Sequence, residues 1–170
     1  MLSKKIVSLV CTVTLLAVPT APVVASPVDR LVYFTFSAPV SIPGVTLPPG
    51  TYMFRVASPA TSRDLVQVLS EDGRRLYATF FTLRAPLQTV PDNPQVRFLE
   101  RRSGSPYAIG AWWYPGERTG FEPIYPREQA LHLARTTGDS VLTTRATAAA
   151  LRASNEVVRV SPNGEESVGQ

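Results

Sequence analysis

Three groups of residues could do chemistry. His132 is the one histidine in the sequence, so any histidine-dependent acid–base step must use it. It lies between Leu131 and Leu133 with no nucleophile near it in sequence, and no second histidine exists to share a metal. A solvated or helix-packing histidine is expected. Glu117, Glu122 and Glu128 gather around a Gly-rich loop, with Asp92 and Glu100 as further acids. Two carboxylates held about 5–9 Å apart across a cleft could hydrolyse a glycoside, and three could hold calcium. The Asp-x-Asp spacing of a calcium loop is absent. The plain alternative is a solvated loop with Glu128 in the first turn of a helix, where negative charge suits the dipole.

The third group is Trp112, Trp113 and Tyr114. Neighbours on a strand face opposite sides, so the two tryptophans cannot enter the same core. In one arrangement both are buried, one between sheets and the other under a helix at 126–137. In the other, one is exposed and, with Tyr107 or Phe121, offers a flat platform to a glycan, a lipid headgroup or a protein. The candidate ligand- or partner-binding residues are therefore Trp112, Trp113, Tyr114, Glu117, Phe121 and Glu122. No catalytic residue, metal ligand or cofactor is assigned. Gly116-Glu117-Arg118-Thr119-Gly120 has neither the spacing nor the lysine of a phosphate loop, and no G-x-S-x-G elbow occurs.

The elements that must position these residues read mostly as strands. Val32, Phe34 and Phe36 alternate with Leu31, Tyr33 and Thr35; Tyr52, Phe54 and Val56 alternate with Thr51, Met53 and Arg55. The stretch Ile42 to Gly50 between them reads as a loop with a tight Pro-Pro-Gly turn. Asp64 to Ser70 and Leu76 to Leu83 flank an Asp-Gly, the strongest short hairpin signal. Ala85 to Pro94 reads as a proline-rich loop. Val96 to Glu100 and Tyr107 to Tyr114 predict a second hairpin, with Arg101-Arg102 in its turn. A helix over 126–137 is predicted with Pro126 at its first position, an apolar stripe of Leu131, Ala134 and Ala130, and Gly138 closing it. Arg145 to Ala153 has helix propensity without an apolar face. Asn155 to Pro162 suggests a short edge strand, and Asn163 to Gln170 a polar, disordered tail.

Residues 1–25 look like an address. Lys4 and Lys5 precede an apolar run from Ile6 to Val18, and Val23-Val24-Ala25 offers cleavage after Ala25. The run is short for a bilayer span, so no transmembrane segment is expected after cleavage. Cys11 lies inside this run behind Val10, which is not the small residue a lipoprotein site wants. Cleavage removes both lysines and the one cysteine, which leaves arginine as the only base against 13 acidic residues and a net charge of about +2. The arginine pairs Arg74-Arg75 and Arg101-Arg102 adjoin acids, Asp72 and Glu100, so no nucleic-acid footprint is expected.

Three segments, taken in order, resemble a group of uncharacterised exported bacterial proteins: Ile42-Pro43-Gly44-Val45-Thr46-Leu47-Pro48-Pro49-Gly50-Thr51-Tyr52 with the preceding Phe34–Ser37; Asp72-Gly73 through Tyr77-Ala78-Thr79-Phe80; and Ala111-Trp112-Trp113-Tyr114-Pro115-Gly116-Glu117, followed by Gly120-Phe121-Glu122 and Tyr125-Pro126. The resemblance implies export and one β-rich domain and brings no activity. The Pro-Gly-Thr-Tyr step is also similar to transthyretin-like and carboxypeptidase-regulatory-like sandwich domains.

The expected fold is mainly β: an antiparallel β-sandwich or small β-barrel of six to eight strands with one late helix. A signal peptide (1–25), a β-rich domain (26–138) and a partly helical or disordered arm (139–170) divide the chain. The expected function is a non-enzymatic binding or envelope-interaction module in the periplasm or outside the cell. Its partner would be an envelope protein, a glycan or a small apolar ligand, and its oligomeric state is open. A lipocalin-like barrel carrying an apolar ligand is the alternative. Phe36, Phe54, Phe80 and Phe98, all read as inward-facing, argue for a filled interior instead. A hydrolase built on His132 or the glutamate loop ranks third.

Overall fold

Alternation of apolar and polar residues builds the first sheet directly. The computed structural model describes residues 30–59, 64–100, 105–145 and 157–168. The expected signal segment 1–25, the Arg101-Arg102 turn and most of the Ala-rich run lie outside the described residues. In β1 (Leu31–Phe36) the even-numbered residues are buried and the odd ones exposed. Short strands β2 (Val40–Ile42) and β3 (Val45–Leu47) form a hairpin around Pro43-Gly44, within the stretch expected to be a loop. β4 (Gly50–Pro59), β5 (Asp64–Ser70) and β6 (Leu76–Pro86) follow as an antiparallel meander. The β5–β6 turn carries the predicted Asp-Gly: Gly73 has φ of 71° and Asp72 accepts from the Arg74 N–H at 3.1 Å. β6 runs on through Pro86, into the segment read as loop. β7 (Gln95–Phe98) and β8 (Tyr107–Trp113) form the second hairpin. β9 (Thr119–Pro123) occupies the glutamate loop, which is therefore a strand.

The large sheet runs β1-β4-β5-β6-β9-β8-β2-β3, with β7 on β8. One pairing breaks the antiparallel expectation: β2 lies parallel to β8 at Val40↔Tyr107 and Ser41↔Ala108. The sheet coils on itself without closing. The rings of Phe36 on β1 and Phe98 on β7 meet at 6.2 Å, yet no ladder joins those strands. Every strand of this sheet except β7 sends a buried side chain into one core, and Val96 of β7 packs against it. Phe54, Phe121 and Trp112 fill its centre, with Trp112 0% exposed and 5.4 Å from Phe54, ring to ring. The interior where a lipocalin-like carrier would hold cargo is occupied by rings. Phe98, expected inside, is 36% exposed.

Helix α1 (Arg127–Thr137) starts one residue later than predicted, because Pro126 takes the N-cap with extended ψ of 142° and contributes no side-chain cap. Gly138 closes it in the left-handed region, its N–H donating to the Ala134 carbonyl at 3.0 Å. Ala130, Leu133 and Ala134 face inward against Leu99, Ala108, Tyr125, Val141 and Val160. Gln129 ties the helix to the β2–β3 turn, donating to the Ile42 carbonyl at 2.9 Å and accepting from the Gly44 N–H at 2.8 Å.

Where it is described, at 139–145 and 157–168, the segment after the helix forms strands rather than an arm. β10 (Val141–Thr144), β11 (Val157–Val160) and β12 (Glu166–Val168) make a small antiparallel sheet in that order. β11 is its centre rather than an edge, and the tail expected to be disordered supplies β12. Tyr125 joins the two sheets. Its single hydroxyl proton is shared between the carbonyls of Ile109 (2.8 Å) and Ser41 (3.2 Å), and Thr143 Oγ1 donates to the Tyr125 carbonyl at 2.9 Å. Complete burial pushes the Tyr125 phenol far up. Mainly β with one late helix is thus the architecture among the described residues, in twelve strands rather than six to eight. No helix among the described residues is long and apolar enough to cross a membrane.

Candidate functional site

β8 places the candidate residues. Its pairing with β7 slips between Arg97 and Phe98, so Gly110 has no partner and forms a bulge. A Cβ there would sit 3.2 Å from the Arg97 carbonyl oxygen. The bulge resets the alternation: Ile109 and Trp112 both enter the main core, and Ala111 and Trp113 face the other side. Trp113 is 6% exposed, packs with Ala85, Ala111 and Leu87, and donates its indole N–H to the Ala85 carbonyl at 2.9 Å. Both tryptophans are buried on opposite faces of the strand, but the outer one lies beneath the end of β6, not beneath the helix. Neither offers an open platform.

Tyr114, Glu117 and Phe121 do come together, around a residue that sequence reading did not single out. The Arg30 guanidinium stands 5.8 Å from the Tyr114 ring centroid and 5.3 Å from that of Phe121. It pairs with both Glu117 carboxylate oxygens, the Nε contact being 3.3 Å. Tyr114 donates its hydroxyl toward the Arg30 carbonyl at 3.3 Å. Burial pushes the Tyr114 phenol up to about 12, against the opposing pull of the Trp112 indole and the Arg30 charge. The indole N–H of Trp112 meets no acceptor at full hydrogen-bond geometry, and this hydroxyl is its polar neighbour. Trp112 stacks on Phe121 at 5.5 Å. The aromatic-and-carboxylate group is a cation site, and the cation in it is the chain's own arginine.

Glu122 points elsewhere. It forms a two-pronged pair with Arg159 of β11 at 2.6 and 2.7 Å, which staples the small sheet to β9. That hydrogen bonding raises the Arg159 pKa. Glu128 is exposed in the first helical turn. The carboxylates read from sequence as one cluster are dispersed: one pairs with Arg30, one with Arg159, and one faces solvent. Among the described residues no group of three His, Cys, Asp or Glu side chains is placed to hold a metal. His132 is exposed at a cavity of about 50 Å³ lined also by Glu100, Ser105 and Thr136. Asp64 is a buried carboxylate that the alternating pattern of β5 hid; Arg84 lies 3.7 Å away. An open groove of about 450 Å³ runs along Pro86, Leu87, Val90, Pro91 and Gln95.

One further feature concerns the backbone. The N–H of Val56 donates to the Arg30 carbonyl at 2.8 Å, and Leu31 faces Arg55 in the register. Even-numbered residues of β1 therefore exchange hydrogen bonds with β4. Leu31, Tyr33 and Thr35 aim their N–H and C=O groups at the opposite edge. Among the described residues no strand pairs with that edge. The side chains of the same residues are exposed, Leu31 at 38% and Tyr33 at 47%. Compared with known proteins, the chain matches no family model, no curated protein and no solved structure.

Proposed function

We propose that the protein is an exported, non-enzymatic interaction module that accepts an extended segment of an envelope partner along the free edge of β1. Strand addition supplies affinity through main-chain hydrogen bonds and needs no side-chain pocket. The observation that carries this reading is the contrast between β1 and the other sheet edges. Natural edges are kept from pairing by shortness, charge, proline, bulges or a cover. β7 has Pro94 before it, exposed Arg97 on it and a bulge at Gly110 in the ladder that joins it to β8. β3 is three residues long and runs into Pro48-Pro49, and β12 is three residues with Glu166 at its start. β10 is covered by Tyr125, whose N–H donates to the Leu142 carbonyl. β1 has six residues with no charge, no proline and no register break.

Export rests on the pattern of residues 1–25, and a site in the periplasm or outside the cell follows from it. A small apolar ligand in the groove along Pro86–Pro91 is the second reading, favoured by its apolar walls. The two readings separate by photo-crosslinking in the native envelope, with p-benzoylphenylalanine replacing either Tyr33 or Val90. A discrete protein adduct from the Tyr33 position and none from Val90 is expected. Adducts from Val90 alone would contradict strand acceptance.

A further inference from the structure

We infer that the segment accepted by β1 is β1 of a second copy, in an antiparallel pair about a two-fold axis through Tyr33. The inference rests on the strand-acceptor reading and names its partner. The odd-numbered residues carry the outward main-chain groups, so the hydrogen-bonded pairs of a new ladder must join odd residue to odd residue. A two-fold through Tyr33 does this: Tyr33 meets its own symmetry mate, Leu31 meets Thr35, and Thr35 meets Leu31. Every outward N–H and C=O of the three residues then finds a partner.

The same axis satisfies the side chains. Because the side-chain period is two, odd-to-odd pairing keeps Leu31, Tyr33 and Thr35 on the outer face and Val32 and Phe34 on the core face of both copies. Tyr33 meets Tyr33 across the joint, a favourable aromatic pair. The strand carries no charge, so two copies bring no like charges into opposition. Arg30, which adjoins the strand, is already paired with Glu117. The paired region also ends before Phe36, where Phe98 stands at 6.2 Å. A single strand joint covers less than the roughly 1,200 Å² of a standard interface, so the dimer is weak and reversible, with a dissociation constant on the order of 100 μM.

Sedimentation of the mature protein over a concentration series tests this, beside the variants Tyr33→Lys and Thr35→Pro. Tyr33→Lys sets like charges opposite each other across the axis. Thr35→Pro removes an N–H that faces away from β4, together with the exposed hydroxyl contact to Thr51 at 2.9 Å, and keeps the main-chain β1–β4 ladder. The wild type is expected as a monomer below about 10 μM, with dimer dominating near 1 mM. Each variant should weaken association at least about tenfold while melting as a folded domain. A fluorescent peptide with the sequence of residues 30–36 is titrated in parallel. If the wild type stays monomeric near 1 mM but binds the peptide, self-pairing is overturned and strand acceptance stands. If neither occurs, both fall. Association that both variants leave untouched uses another face and overturns the inference.

Discussion

Arg30 shows how a site predicted for a ligand can be filled from within. Tyr114 and Phe121 present ring faces and Glu117 a carboxylate, the composition expected of a cation-recognising surface, and the guanidinium of Arg30 takes all three. The effect is to clasp the start of β1 to the turn between β8 and β9, which holds β1 in the coil of the sheet. Both members of the ion pair are about one-third exposed, so the pair itself is screened and contributes little. Most of the value lies in the planar fork and its two rings. Arg30→Lys keeps the charge and loses the fork and the stacking geometry. It is expected to lower the unfolding free energy by about 1 kcal/mol, read from the urea midpoint. An unchanged midpoint would show that the clasp is ornamental. Nothing in the sequence pointed to this contact, because Arg30 and Glu117 lie 87 residues apart and pairing across such a distance leaves no local pattern.

At the scale of elements, Gly120 decides whether β9 can approach β8. A Cβ on it would stand 2.5 Å from the Trp113 Nε1 and closer still to the Trp113 Cδ1 and the Trp112 carbonyl oxygen. The neighbours are a backbone atom and a buried indole that is itself held by Ala85, so neither can retreat. Gly120→Ala is expected to cost about 3 kcal/mol, the upper end for overpacking, with the loss visible as a lowered thermal midpoint. A wild-type midpoint would mean that β8 and β9 are farther apart than described. Elements with clean alternation were legible in the sequence: β1, β4 and the β5–β6 hairpin, as was the placement of the two tryptophans on opposite faces. β9 was not, because Thr119-Gly120-Phe121-Glu122-Pro123 holds one large apolar residue between a glycine and a proline. β12 was hidden for a related reason. Its one apolar residue, Val168, is exposed, and it exists through its pairing with β11 and through Glu166, which binds Arg127 and Arg145. Those hydrogen bonds hold the Glu166 carboxyl below the usual glutamate value. The Gly110 bulge, which sets the side each tryptophan takes, depends on β7 pairing and cannot be read from β8 alone.

Taken whole, the molecule is a coiled β-sheet that stops short of closure, with a helix and a small sheet packed beside it. Its interior is filled by aromatic rings, and Glu117, Glu122 and Glu166 are spent on arginines that bind element to element. In the proposed function the contact is made through backbone. Among the described residues, coiling without closure leaves β1, β3 and β7 at the edges of the large sheet, and of these β1 alone lacks the shortness, charge, proline or broken ladder that keeps an edge solitary. The most direct measurement is residue-resolved amide hydrogen exchange in dilute protein. The account predicts an alternation along β1: slow exchange at Val32, Phe34 and Phe36, whose N–H groups bind β4, and fast exchange at Leu31, Tyr33 and Thr35, whose N–H groups pair with no strand among the described residues. Slow exchange at Tyr33 and Thr35 in dilute monomer would mean the edge is already covered, and would contradict the account at its centre.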